Sequence, residues 1–161
     1  MNNIILVMVL SDWIQIIISI ILLLTAIFTF DGLRKSVSQF DKQLQLNFFA
    51  DYTKRYQKIM INLPADINMD DFNIHELEND TKEKILVYMR SYFDLCSEEY
   101  YLSQKKLIDD DTWKEWSSGI EYTFSKKAFQ EGWKLIALDT KYYHDFTEHI
   151  NNLLHEIKEM S

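Results

Sequence analysis

The feature that most constrains this chain is a run of 18 residues without a charged side chain, residues 13–30. As a helix the run would be about 27 Å long, close to the ~30 Å thickness of bilayer hydrocarbon. No Lys or Arg precedes it and no small-residue cleavage motif follows it, which favours an uncleaved anchor over a signal peptide. We therefore predict a membrane segment over residues 1–30, with a helix that begins near Asp12, and a second domain over residues 31–161.

The flanking charges predict the orientation of this segment. Arg34, Lys35 and Lys42 follow the uncharged run closely, and no basic side chain precedes it. Because positively charged flanks stay on the cytoplasmic side, we expect a single-pass protein whose C-terminal domain lies in the cytoplasm.

The membrane segment has a polar side. At 100° per residue its polar positions share an arc of about 120°; they are Ser11, Gln15, Ser19, Thr25 and Thr29. Three interpretations follow: this side packs against other copies in a homo-oligomer, it lines a water-filled pore, or it has no role because Ser and Thr hydroxyls bond their own backbone.

The composition predicts an all-α protein, since one Pro and three Gly leave few turn signals for a sheet. One helix is predicted to run from the membrane segment to residue 62, with Leu33, Val37, Phe40 and Leu44 as a stripe that packs on partners or on the chain's own bundle. Further helices are predicted over 80–104, from 109, around Phe129–Ile136 and over 140–160, with an exposed acidic connector over 65–80.

Composition also excludes several functions. Because the net charge is −8 and phosphate contacts need clustered Lys and Arg, we predict no direct binding of nucleic acid. The single cysteine, Cys96, lies on an apolar helix face and is predicted to fill the core. No phosphate-binding loop, dinucleotide fingerprint or zinc spacing occurs, so we predict no cofactor, no metal and no catalytic residue. Trp113, Trp116 and Trp133 are predicted as core anchors or as part of a subunit interface.

The best cluster of titratable residues reads HDFTEH, from His144 to His149. In a helix, His144 lies one turn from Glu148, and Asp145 lies one turn from His149. Such pairs are able to hold a metal or share a proton, or they form a contact between subunits. The stripe lies opposite the apolar face, however, which favours a solvated surface.

Several stretches together resemble a known family. They are the N-terminal anchor, FFADYTKRYQKIMINLP at 48–64, YMRSYFDLCSEEYYL at 88–102 and LIDDDTWKEWSSGI at 107–120. The chain resembles the membrane accessory proteins of type VI-B CRISPR systems, within a broad set of small bacterial membrane-anchored helical proteins. The resemblance implies a HEPN-like cytoplasmic bundle, a bacterial inner-membrane location and a ring-shaped pore that strengthens antiphage defence. It also implies a functional link to an RNA-guided, RNA-cleaving effector.

The HEPN ribonuclease motif is not complete in this sequence. HEPN ribonucleases place an Arg shortly before a His, whereas the stretch before His149 holds Tyr142, Tyr143 and His144 and no Arg. By the resemblance, His149 and His144 are a remnant of the motif, and we predict a non-enzymatic protein. The preferred function is therefore an oligomeric pore. The alternatives are a non-conducting tether that holds a partner at the bilayer and, less favoured, a HEPN-type ribonuclease.

Overall fold

The computed structural model describes the backbone of residues 2–138, 140–142 and 145–160, and the side chains of residues 12–138, 140–142 and 145–159. Within these residues the chain forms five helices and no strand: α1 (Asn2–Met60), α2 (Asn79–Gln104), α3 (Asp110–Phe124), α4 (Lys127–Ile136) and α5 (Phe146–Met160). The all-α prediction is confirmed. The packing divides the chain into two compact units, residues 1–46 and 47–161, and α1 contributes to both.

The first unit consists of the N-terminal part of α1. The helix passes through Asp12 without interruption, so the predicted start at that residue is wrong. From Asp12 onward every side chain of this unit is exposed. Its most apolar 18-residue window has a mean hydropathy of 2.4 and none of it is buried, so α1 is long and apolar enough to span a membrane. The end of the membrane segment that the sequence predicts at Phe30 stays a prediction.

The second unit is built around α2, which packs against α3, α4 and α5. The face of α2 predicted to be buried is buried throughout: Ile85, Met89, Tyr92, Phe93 and Cys96. The Phe93 ring stacks on Phe124 at 5.3 Å between centroids and meets Trp133 edge-on at 5.2 Å. Aromatic burial of this kind supplies most of the apolar area in a core of modest size. The predicted core role of Cys96 is confirmed, and burial raises the pKa of its thiol well above the usual value.

The helix starts agree with the sequence predictions only in part. The start of α3 is confirmed, and Asp109 caps this helix, since its side chain accepts a hydrogen bond from the Thr112 N–H at 2.9 Å. The N-cap of α2 is Glu78, which makes no side-chain capping bond. The last helix begins at Phe146 rather than near residue 140; Tyr143, a predicted inward residue, lies outside the described residues.

The acidic connector between α1 and α2 is exposed at its carboxylates, as predicted. It is nevertheless held to the core by four buried side chains: Leu63, Ile67, Phe72 and Ile74. Each buried apolar group of this size stabilises by about 1.5–3 kcal/mol. The connector is therefore an ordered part of the second unit.

Gly132 allows α4 to pack closely on α2. A Cβ placed there would overlap the Sδ of Met89, a side chain with no exposed surface in which to move away. Gly132→Ala should therefore lower the free energy of unfolding by about 1–3 kcal/mol despite the better helix propensity of Ala. Gly119 is the matched control, because its Cβ would meet nothing within 4 Å. Gly119→Ala should raise stability by up to ~1 kcal/mol. Urea unfolding followed by tryptophan fluorescence measures both, and equal shifts would contradict the packing role.

Candidate functional site

The predicted polar side of the membrane helix lies on an exposed face of α1. The hydroxyls of Ser19, Thr25 and Thr29 donate hydrogen bonds of 2.8 Å to the carbonyl oxygens four residues earlier. Gln15 is exposed on the same side, and the side chain of Ser11 lies outside the described side chains. Because the three hydroxyls are satisfied within the helix, they tolerate lipid as well as a partner. Their role in packing or pore lining stays a prediction.

The predicted apolar stripe beyond the membrane segment is exposed as well. Leu33, Val37, Phe40 and Leu44 all show large exposed fractions, up to 64% for Phe40. Whether these residues pack on partners or on the chain's own bundle stays a prediction. On the same 100° wheel they fall between about 20° and 80°, within the arc of the polar membrane residues. The charged residues of this segment fall between about 120° and 240°, on the other side; they are Asp31, Arg34, Lys35, Asp41 and Lys42.

His149 is not the solvated residue that the sequence predicted. Its ring is half-buried and stacks on Tyr100 with 4.7 Å between centroids. Burial lowers the pKa of His149, opposed by the nearby charges of Glu121 and Glu156. Both of these nearby charges belong to carboxylates. His144 lies outside the described residues.

The second unit contains a cleft that the sequence did not predict. It has a volume of about 350 Å³ and lies between the last turns of α1, the middle of α2 and the exposed side of α3. Its walls are mainly aromatic and apolar, with two carboxylates; the lining side chains include Phe49, Tyr52, Tyr56, Tyr92, Trp116, Ile120, Glu99 and Glu115. The Trp116 ring stacks on Tyr52 at 5.0 Å and on Phe49 at 6.3 Å. Trp116 is half-buried and thus forms a wall of the cleft rather than a core anchor.

An ion pair holds α1 against α2 beside the cleft. The Arg55 guanidinium donates to Glu98 Oε2 at 2.7 Å, and the Tyr52 hydroxyl donates to the same oxygen at 3.3 Å. Arg55 also lies over the Tyr52 ring, 5.0 Å from its centroid. Burial and the Glu98 charge raise the pKa of Tyr52 to about 12. Tyr52 therefore stays a neutral donor, and the Arg55 charge is balanced by Glu98.

Glu99 is the most unusual group in the cleft. Its side chain lies among the buried residues, only 8% exposed, and the described part of the chain offers its carboxyl no hydrogen bond or ion pair. Burial raises the pKa of Glu99 to about 8, which the Arg55 charge only partly offsets. A carboxyl of this kind is mostly protonated at neutral pH and becomes charged when a cation approaches.

Sequence reasoning missed Glu99 although a signal for it was present. Glu99 follows Tyr92 by seven residues and Cys96 by three, so it continues the stripe that predicts the buried face of α2. A carboxylate in register with a buried stripe is a signal worth testing in other helical domains.

No family model, curated protein or solved structure matches the chain. The HEPN-like bundle and the kinship with type VI-B accessory proteins therefore stay predictions from the sequence stretches quoted above. The cleft and the two-part face of α1 are features of the structure itself.

Proposed function

We propose that this protein is anchored in the bilayer by α1 and self-associates through one face of that helix, so that the gathered helices form a membrane pore. The observation that supports this is the reversal of polarity along a single face. Within the uncharged run the face carries the polar residues Gln15, Ser19, Thr25 and Thr29 beside Ile18 and Leu22. Beyond it the face carries the apolar stripe of Leu33, Val37, Phe40 and Leu44. Polar side chains are unfavourable in lipid and apolar side chains are unfavourable in water, so this face is poorly suited to solvent or lipid in both segments.

A face that is polar in lipid and apolar in water suits contact with other copies of the same helix. The apolar stripe covers about 16 Å of helix and repeats at four, three and four residues, the spacing of a coiled-coil seam. Covering each of its side chains would stabilise an assembly by about 1.5–3 kcal/mol per chain. Anchoring in one membrane keeps the helices parallel and raises their effective concentration, so even a short seam is sufficient.

The same rotation that brings the apolar stripes together turns the hydroxyl-bearing side of each membrane helix toward the centre of the assembly. In a dimer this side is the packing surface. In a ring of more chains it lines a central passage, where Gln15 and the hydroxyls offer polar groups to water. The C-terminal domain would lie in the cytoplasm, as the basic residues after the membrane segment predict.

The resemblance supplies the proposed setting. By this resemblance, the pore would act in the bacterial inner membrane, where leakage or depolarisation would reinforce the action of an RNA-guided, RNA-cleaving effector against phage. The proposal involves no catalytic residue, no cofactor and no direct contact with nucleic acid.

A non-conducting tether is the second candidate, and one observation favours it. Since the hydroxyls of Ser19, Thr25 and Thr29 are satisfied by their own helix, the membrane segment is able to reside in lipid alone. A tether would leave the bilayer sealed and would work with any other anchor.

Release of a trapped dye from liposomes, together with the mass of the full-length protein in a mild detergent, separates the two functions. A pore requires an assembly larger than a dimer and dye release at low protein-to-lipid ratios. Ser19→Leu, on the polar side, should reduce release severalfold, whereas Ile20→Leu, on the opposite side, should leave it unchanged. An assembly without dye release would support the tether, and a monomer would contradict both the pore and the seam.

A further inference from the structure

The cleft in the second unit combines aromatic walls with a buried carboxyl, the composition of a ligand site. Tyr52 and Trp116 stack at one wall, and Tyr56 and Tyr92 contact each other at 6.1 Å between centroids at another. A volume of about 350 Å³ accommodates a small organic molecule.

The charges around the cleft indicate the sign of the ligand. Among its lining residues are two carboxylates, Glu99 and Glu115, and no basic side chain. Arg55, the cation on the neighbouring surface, is already paired with Glu98 at 2.7 Å. Glu99 itself is more than nine-tenths buried and makes no hydrogen bond or ion pair with the residues that the structure describes. An anion would therefore meet repulsion, and a neutral apolar molecule would leave the buried carboxyl without a partner.

Aromatic walls with a carboxylate between them are the chemistry that recognises an ammonium group. The faces of Tyr and Trp rings attract a cation through their quadrupoles, and the attraction grows when water is excluded. We infer that the cleft binds a small organic ammonium compound from solution, with its cationic head held at the aromatic walls beside the Glu99 carboxylate. This inference is independent of the pore, since it concerns residues of the second unit alone.

Binding of a cation should change the protonation of Glu99. The carboxyl is mostly protonated at pH 7, because burial raises its pKa to about 8. A cation at contact distance stabilises the carboxylate, so the proton passes from the Glu99 carboxyl to the buffer as the ligand binds. The other titratable and charged groups around Glu99 are Tyr52, Arg55 and Tyr56 on α1, Tyr92, Cys96 and Glu98 on α2, and Glu115 on α3.

Choline and its neutral isostere 3,3-dimethylbutan-1-ol test the inference by calorimetry on the full-length protein in a maltoside detergent. Choline keeps its charge at every pH, so its affinity should rise as pH increases from 6 to 9. The heat measured in buffers of different ionisation enthalpy should show close to one proton released per choline at pH 7. The alcohol should bind at least about tenfold more weakly and release no proton.

Two variants distinguish a role of Glu99 in binding from a role in folding. Glu99→Gln mimics the protonated carboxyl, so it should fold, yet bind choline about tenfold more weakly and release no proton. Glu83→Gln is the control, since Glu83 is an exposed carboxylate on the same helix. Equal affinity for choline and the alcohol, or unchanged proton release in folded Glu99→Gln, would overturn the inference. Equal binding of glycerophosphocholine would overturn the assignment to a free ammonium compound, because its phosphate should be repelled by Glu115.

Discussion

Phe40→Glu should convert the assembly to single chains in mild detergent and abolish dye release from liposomes. Phe40 is 64% exposed at the middle of the apolar stripe, at about 20° on the helix wheel. Without the Phe40 side chain, the contact between copies would lose about 2–3 kcal/mol of stabilisation by apolar burial per chain. The introduced carboxylates would also repel one another there. The mass of the protein–detergent complex, measured by light scattering, gives the result directly.

Leu46→Glu is the matched control for this experiment. Leu46 is 69% exposed on the same helix but lies at about 260°, away from the stripe. The control introduces the same charge at nearly the same distance from the membrane segment, so it should keep the assembly and the dye release. If both variants keep their mass, the seam lies elsewhere. If both fall apart, the loss reflects added charge rather than the stripe.

The features that the sequence predicted well depend on local periodicity. The inward face of α2 and the trio Phe129, Trp133 and Ile136 on α4 are buried as predicted, because apolar residues at helical spacing have one low-energy arrangement in a compact domain. The predicted start of α3 is equally local, since the carboxylate of Asp109 and one backbone N–H fix it. All-α architecture followed from the same signals.

The features that the sequence did not predict depend on contacts between distant segments. Half-burial of His149 arises from Tyr100, a residue on another helix, so the spacing within HDFTEH gave no sign of it. Burial of Glu99 likewise requires α1 and α3 to cover α2. The helix start at Asp12 was misplaced for a different reason, since a capping pattern is also compatible with the middle of a long helix.

Glu99 should also make the stability of the second unit depend strongly on pH. The carboxyl has a pKa of about 8 in the folded chain, against an ordinary value of 4.5. Between these values the folded state holds one proton more than the unfolded state. The contribution of Glu99 is therefore fully present below about pH 4.5 and is lost as the pH rises through 8, with a total on the order of 5 kcal/mol.

Glu99→Gln should remove this dependence, because an amide keeps the shape of the protonated carboxyl and does not ionise. We expect the variant to match the wild type near pH 5 and to exceed its free energy of unfolding by about 3–4 kcal/mol at pH 9. Urea unfolding of the full-length protein at pH 5, 7 and 9, followed by tryptophan fluorescence, measures both curves. Tyr52 does not interfere, since burial and Glu98 raise its pKa to about 12. If the free energies of unfolding of the two proteins change in parallel with pH, Glu99 is solvated. If they converge at low pH and separate at high pH, Glu99 is the buried, protonated group on which the cleft depends.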